Sequence, residues 1–129
     1  MKQTFKKEER LHSKKLIGQL FARGDSFFVY PFKVIFLPVS ENSSIPAQVL
    51  ISVSKKKFKS AVKRNRIKRL IREAYRKNKQ FLTNENPRNK TLLVAFIYVA
   101  DTIMEYHDIE KKIILILQRL KSKDEKVDR

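Results

Sequence analysis

The chain has 129 residues, with 30 Lys and Arg against 13 Asp and Glu for a formal charge of +17, a hydrophobic share of 42% and no Cys. A chain of this length suits one domain that buries about two-thirds of its unfolded surface, so a wholly disordered basic tail is excluded. Without Cys, disulfide frameworks, zinc–thiolate sites and thiol nucleophiles are excluded too, and a reducing cytoplasm is the expected compartment.

Residues 1–10 read as a flexible basic N-terminus, charged and with no apolar signal core behind it. From Ser13 a helical pattern places Leu16, Ile17, Leu20 and Phe21 on one stripe and stops at Gly24. Phe27 to Val39 is rich in β-branched and aromatic residues, broken by Pro31 and closed by Pro38, which fits either one bent strand or two short edge pieces. Ser40 to Pro46 is turn-like, and Ala47 to Ser54 reads as a strand. A helix from about Ser60 to Asn78 follows, then a loop over 82–90 that contains Asn84, Asn86, Pro87 and Asn89. Thr91 to Ala100 is a near-continuous apolar run, as in a central strand covered on both faces, and is far short of the ~20 residues that cross a bilayer. No membrane partner is expected.

A last helix uses Ile109, Ile113, Ile116, Leu117 and Leu120 as its core stripe, starting either at a Thr102/Glu105 capping box or nearer Tyr106. Residues 121–129 read as a flexible charged C-terminal tail. The order αβ(β)βαβα, with no repeat and no linker, predicts a single α/β domain over 1–129, an α+β two-layer sandwich of helices on a sheet.

The charge is not spread evenly. Residues 55–79 hold thirteen Lys and Arg and one acid, Glu73. Like charges packed this tightly repel one another, which points to a surface held ready for a polyanion, nucleic acid first. With residues at ~100° intervals from Ile67, Leu70, Ile71, Ala74 and Tyr75 fall within about 80° of it, while Asn65, Lys68, Arg69, Arg72, Arg76 and Lys79 fall between about 100° and 200°. One face is apolar and the other cationic. The Arg at 64, 66, 69, 72 and 76 suit phosphate, which a planar guanidinium grips through two bonds at once.

Ile51-Ser52-Val53-Ser54-Lys55-Lys56 followed by Ala61-Val62-Lys63-Arg64-Asn65-Arg66-Ile67-Lys68-Arg69-Leu70-Ile71-Arg72-Glu73-Ala74-Tyr75 resembles the signature of the bacterial ribonuclease P protein subunit. The likeness extends more weakly to the first helix and to the closing strand and helix. It implies an RNA-binding, tRNA-processing endoribonuclease subunit in a ribonucleoprotein whose RNA removes the 5′ leader of precursor tRNA. The implied fold is ribosomal-protein-like with a left-handed βαβ crossover, against the usual right-handed rule. By position match, Arg64, Asn65, Arg66, Lys68, Arg69, Arg72 and Arg76, with Lys55 and Lys56, would bind the catalytic RNA. Phe21, Ile17, Phe32, Lys33, Ile35 and Ser52 would line a cleft for the single-stranded leader. The resemblance implies no cofactor bound by the protein alone, with Mg²⁺ entering through the RNA, and no small-molecule substrate. The sequence departs from the family over Lys57-Phe58-Lys59-Ser60, one residue longer and lacking the usual Gly, and at Lys33 and Ile35, where apolar and aromatic groups are more common.

The competing readings are a structural ribosomal protein or RNA chaperone, and a self-sufficient nuclease. The second needs carboxylates converging on Mg²⁺. The only acidic cluster, Asp101, Glu105, Asp108 and Glu110, lies where a helix start favours negative charge. Only two His, His12 and His107, are present for acid–base cleavage. Two Gly in the whole chain leave no phosphate loop for nucleotide hydrolysis.

Overall fold

The computed structural model describes residues 5, 7–40, 45–83 and 90–127. Four strands, β1 (Asp25–Val29), β2 (Phe32–Ser40), β3 (Ala47–Val53) and β4 (Lys90–Tyr98), form one sheet in the order β1-β2-β4-β3. β1, β2 and β4 run antiparallel in turn, and β3 lies parallel to β4. Four helices accompany them: α1 (Lys14–Arg23), α2 (Ala61–Asn78), the single turn α3 (Gln80–Thr83) and α4 (Tyr106–Val127). The mixed α/β single domain expected from the sequence is what forms. β4 is interior, and Thr91 to Phe96 are all buried, as an unbroken apolar run requires.

The period of two along each strand divides the core between the sheet's faces. Phe32, Val34 and Phe36 of β2 and Val94 and Phe96 of β4 share one cluster with Ile67, Ile71 and Tyr75 of α2 and Ile109, Ile113 and Leu117 of α4. Ile35 of β2 and Leu93 and Ala95 of β4 form a second, smaller cluster with Leu11 and Leu20. Ile17 packs against this smaller cluster, so α1 covers the face opposite α2 and α4.

Several boundaries differ from the sequence reading. Tyr30-Pro31, with a cis peptide bond, turns the chain between two antiparallel strands rather than bending one. Of these only β1 is an edge. β2 does not close at Pro38, which pairs with Leu92 beyond the last residue that β1 reaches, where one side of the strand is free. α3 occupies 80–83 and so takes in the first two residues of the loop expected over 82–90, while Asn84, Asn86, Pro87 and Asn89 lie outside the described residues.

The described part of the basic N-terminus is docked. A short 3₁₀ turn at Lys7–Glu9 leads into a parallel bridge between Arg10 and Val49, and the Leu11 N–H donates to the Val49 carbonyl at 3.0 Å. At the other end α4 stays helical through Val127, covering most of the expected tail. It starts at Tyr106, with the Glu105 carbonyl accepting from the Ile109 N–H at 3.1 Å.

Buried polar groups fix α4 against the rest. The Tyr98 hydroxyl donates to the Thr102 carbonyl at 2.7 Å and accepts from the Met104 N–H at 3.1 Å, holding the β4–α4 connection. Asn78, at the end of α2, donates to the Ala74 carbonyl at 2.8 Å and to Glu110 Oε2 at 3.0 Å. Tyr106 donates to the same Glu110 oxygen at 3.2 Å; burial, then the Glu110 charge, pushes its phenol up to about 12. Tyr98→Phe removes a donor and an acceptor at once from a buried site. Urea unfolding should show a loss of about 1–3 kcal/mol with unchanged m.

Candidate nucleic-acid interface

α2 begins at Ser60, whose side chain accepts from the Lys63 N–H at 3.3 Å and satisfies one free helical donor. Ile67, Ile71, Ala74 and Tyr75 are buried on the sheet, and the opposite side carries exposed Asn65, Arg66 and Arg69 with partly buried Lys68 and Arg72. The Arg72 guanidinium is pushed below its usual range, first by burial and then by the charges of Arg10 and Arg69. No ion pair joins Arg10, Lys68, Arg69 or Arg72 to a carboxylate among the described residues. This middle stretch of α2 is an uncompensated cationic surface.

The remaining predicted RNA contacts sit differently. Arg64 turns inward, donating from Nη1 to the Phe58 carbonyl at 2.7 Å and the Lys59 carbonyl at 3.0 Å. Arg76 turns to Glu73, with Nη2 at 2.5 Å from Oε1; that bond holds the Glu73 carboxyl below its usual range and raises Arg76. Lys55 and Lys56 are exposed in a turn, with the Lys56 N–H donating to Ser54 Oγ at 3.1 Å. The Lys57 ammonium donates to the Val99 carbonyl. In the longer segment Phe58 supplies an anchor: it is buried against Tyr98, ring centroids 6.2 Å apart, and its N–H donates to the Ser54 carbonyl at 3.1 Å.

Of the residues predicted to line a leader cleft, Lys33, Ile35 and Ser52 lie on the sheet face that α1 covers, and Ile17 and Phe21 belong to α1 itself. Strand register lines up Ser52, Ile97, Lys33 and Phe28 in one row across the sheet, with Leu50, Ala95, Ile35 and Ser26 in the next. Ile35 is sealed under α1, Ile17 and Ser52 are partly buried, and Lys33 is exposed. Phe21 on α1 keeps half its surface open, at 50%. Gly24 lets α1 end tight on β2, since a Cβ there would lie 2.4 Å from the Leu20 carbonyl oxygen and 2.8 Å from Ile35 Cγ2.

Phe32 does not belong to the cleft. Its side chain lies on the other face, fully buried, with its ring edge-on to Phe96 at 6.1 Å and to Tyr98 at 5.7 Å. Phe28 and Tyr30, 57% and 53% exposed, and Ile97 went unnoticed in the sequence. The signal for Phe28 is its pairing with Lys33, countable only once the turn at Tyr30-Pro31 is placed. Among the described residues no three His, Asp or Glu side chains are grouped to hold a metal ion, and no helix is long and apolar enough to cross a membrane.

The sequence model of the family described as Ribonuclease P matches residues 5–121. A ribonuclease P protein component of Porphyromonas gingivalis (strain ATCC 33277) is 41% identical over 106 residues, spanning 81% of this chain and 77% of that protein. One from Clostridium botulinum (strain Langeland) is 33% identical over 113 residues, spanning 88% of this chain and 95% of that protein. Among solved structures, the RNase P protein of Staphylococcus aureus superposes with a TM-score of 0.65 at 26% identity, covering 88% of this chain and 95% of that one. The RNase P protein from Thermotoga maritima shares the fold, with a TM-score of 0.65 at 24% identity over 86% of this chain and 96% of its own.

The inward Arg64 and the outward Arg69 make opposite predictions for stability. Arg64→Ala removes two charge-assisted bonds to the loop before α2 and should cost about 1–2 kcal/mol in urea unfolding. Arg69→Ala, on the open face, should stay within about 0.5 kcal/mol.

Proposed function

The chain belongs to the ribonuclease P protein family, which works with the ribonuclease P RNA in tRNA 5′ processing, and we propose that it holds two RNA partners on separate surfaces. Asn65, Arg66, Lys68, Arg69 and Arg72, flanked by Lys55 and Lys56, bind the catalytic RNA. Arg64 and Arg76 support this surface through the Phe58 and Lys59 carbonyls and through Glu73. The open part of the α1 face, with Ile17, Phe21, Lys33 and Ser52 around the buried Ile35, holds the unpaired 5′ leader of precursor tRNA.

The observation that carries this reading is the two-sidedness of α2, buried along Ile67, Ile71, Ala74 and Tyr75 and uncompensated along Lys68, Arg69 and Arg72. Guanidinium groups suit the phosphates of a folded RNA, whereas an exposed aromatic ring on the side of the sheet that carries Lys33 and Ser52 suits unpaired bases and the strand that joins them. The polypeptide contributes no reacting group. Hydrolysis belongs to the RNA, with Mg²⁺ bound there, and the cations of α2 offset repulsion between RNA phosphates so that less Mg²⁺ is needed. The assembly acts in the cytoplasm.

Mixing the protein with precursor tRNA, with and without the catalytic RNA, tests the assignment. Maturation of the 5′ end should appear only with RNA present, and the protein should stimulate it most at limiting Mg²⁺; cleavage by protein alone would refute the division of labour. On the other surface, Phe21→Ala should weaken binding of leader-containing tRNA by about 1–3 kcal/mol, the worth of a stacked base, and leave mature tRNA nearly unaffected. Equal losses for the two tRNAs would assign Phe21 to packing.

A further inference from the structure

The loop between β3 and α2, residues 54–60, contains four Lys and no Gly. Cations this close repel one another, and an untied loop of that composition would be spread over many forms. This one is tied at almost every residue. The Lys56 N–H donates to Ser54 Oγ and the Phe58 N–H to the Ser54 carbonyl, each at 3.1 Å. Ser60 caps α2, and Arg64 Nη1 donates to the Phe58 carbonyl at 2.7 Å and the Lys59 carbonyl at 3.0 Å.

Two further ties reach another part of the chain. The buried Phe58 ring packs on Tyr98 at the end of β4, and the Lys57 ammonium donates to the carbonyl of Val99, the next residue. Val99 in turn donates its N–H to the Pro31 carbonyl at 2.8 Å, and the Tyr98 hydroxyl bonds Thr102 and Met104. The β1–β2 turn, the β3–α2 loop and the β4–α4 connection are thereby joined at one end of the sheet. Lys55 and Lys56 stay exposed outside this net, and neither meets a carboxylate among the described residues. Lys57, the third of three identical neighbours, has its charge turned inward to the Val99 carbonyl.

We propose that Lys57 and Phe58 are positioning residues: through Val99 and Tyr98 they hold the β3–α2 loop in the form that presents Lys55 and Lys56 to the catalytic RNA, and neither touches the RNA itself. The proposal rests on the reading that Lys55 and Lys56 contact that RNA. A loop already fixed in its bound form loses little freedom when the polyanion arrives, so affinity that a loose loop would give up in ordering is kept.

Residues that act only through others lose their effect when those others are removed, which a mutant cycle in the full chain measures. Binding of the catalytic ribonuclease P RNA is titrated over a range of salt. Lys55→Ala with Lys56→Ala should lower the salt slope by about two. Phe58→Ala should weaken binding about fivefold and Lys57→Ala about threefold in the otherwise unchanged chain, and each by less than twofold once Lys55 and Lys56 are Ala. Urea unfolding fixes conditions in which each variant is folded, and the surface replacement Lys57→Ala carries the test where Phe58→Ala does not fold.

A loss on Lys57→Ala that persists without Lys55 and Lys56 would make Lys57 a direct RNA contact and overturn the proposal. Equal losses on Phe58→Ala in the two backgrounds would reduce Phe58 to packing and overturn it as well, while the contacts of Lys55 and Lys56 would stand. If removing Lys55 and Lys56 leaves the slope unchanged, the loop's place in the RNA interface fails, and the proposal with it; Arg69→Ala then shows by its own slope whether α2 still faces RNA.

Discussion

The packing of α2 on the sheet is the constraint from which the molecule's other features follow. Four side chains, Ile67, Ile71, Ala74 and Tyr75, are buried and fix the helix's rotation about its axis. Burying a large apolar side chain is worth about 1.5–3 kcal/mol, and such groups, not charge, must offset the mutual repulsion of the cations behind them. Once the rotation is fixed, Arg66, Lys68, Arg69 and Arg72 have nowhere to go but outward or along the rim. A helix rolled by a quarter turn would drive guanidinium groups into the sheet at a cost no partner there could offset.

The sheet separates two chemistries by the same kind of constraint. In β2 the even residues Phe32, Val34 and Phe36 face α2 and α4, and the odd residues Lys33, Ile35 and Leu37 face α1. One face is covered by the long helices α2 and α4 over most of its area. The other is covered only where α1 reaches, which leaves Lys33 and the exposed aromatic rings of Phe21 and Phe28 on the open part. A shift of one residue in register would exchange these roles, so the pairing of β2 with β4 also decides which side chains stand on the partly open face.

What could be read from the sequence, and what could not, follows the range of the interactions. The stripe of α2 and the apolar run of β4 are local patterns, and both elements formed as expected. Phe32 was misplaced although the contradiction was local as well: residues 32 and 33 of one strand point to opposite faces, so they cannot line one cleft. Arg64 was grouped with the outward cations although it lies about 60° from Ile67 on the helical wheel, towards the apolar stripe. The docked N-terminal segment was out of reach, because the contacts that hold it join Glu8 to Gln48, Glu9 to Lys79 and Phe5 to Tyr75, each at least 40 residues apart. Nothing in the composition of a basic leader announces such partners.

The basic segment also has less free charge than its composition suggests. Towards its ends the cations serve the fold: Lys57 bonds the Val99 carbonyl, Arg64 ties the loop before α2, Arg76 and Lys77 approach Glu73, and Lys79 meets Glu9. Glu73 thus neutralises the last turns of the helix and leaves the middle untouched. The part left for a polyanion runs from Asn65 to Arg72, two helical turns at ~1.5 Å per residue, or about 11 Å along the axis. That span matches a few phosphates rather than a long track, so the specificity of such a contact must come from shape and from what lies beside it. Beside it lie the docked N-terminal segment with Arg10 on one flank and, across the sheet, the open face with Phe21 and Lys33.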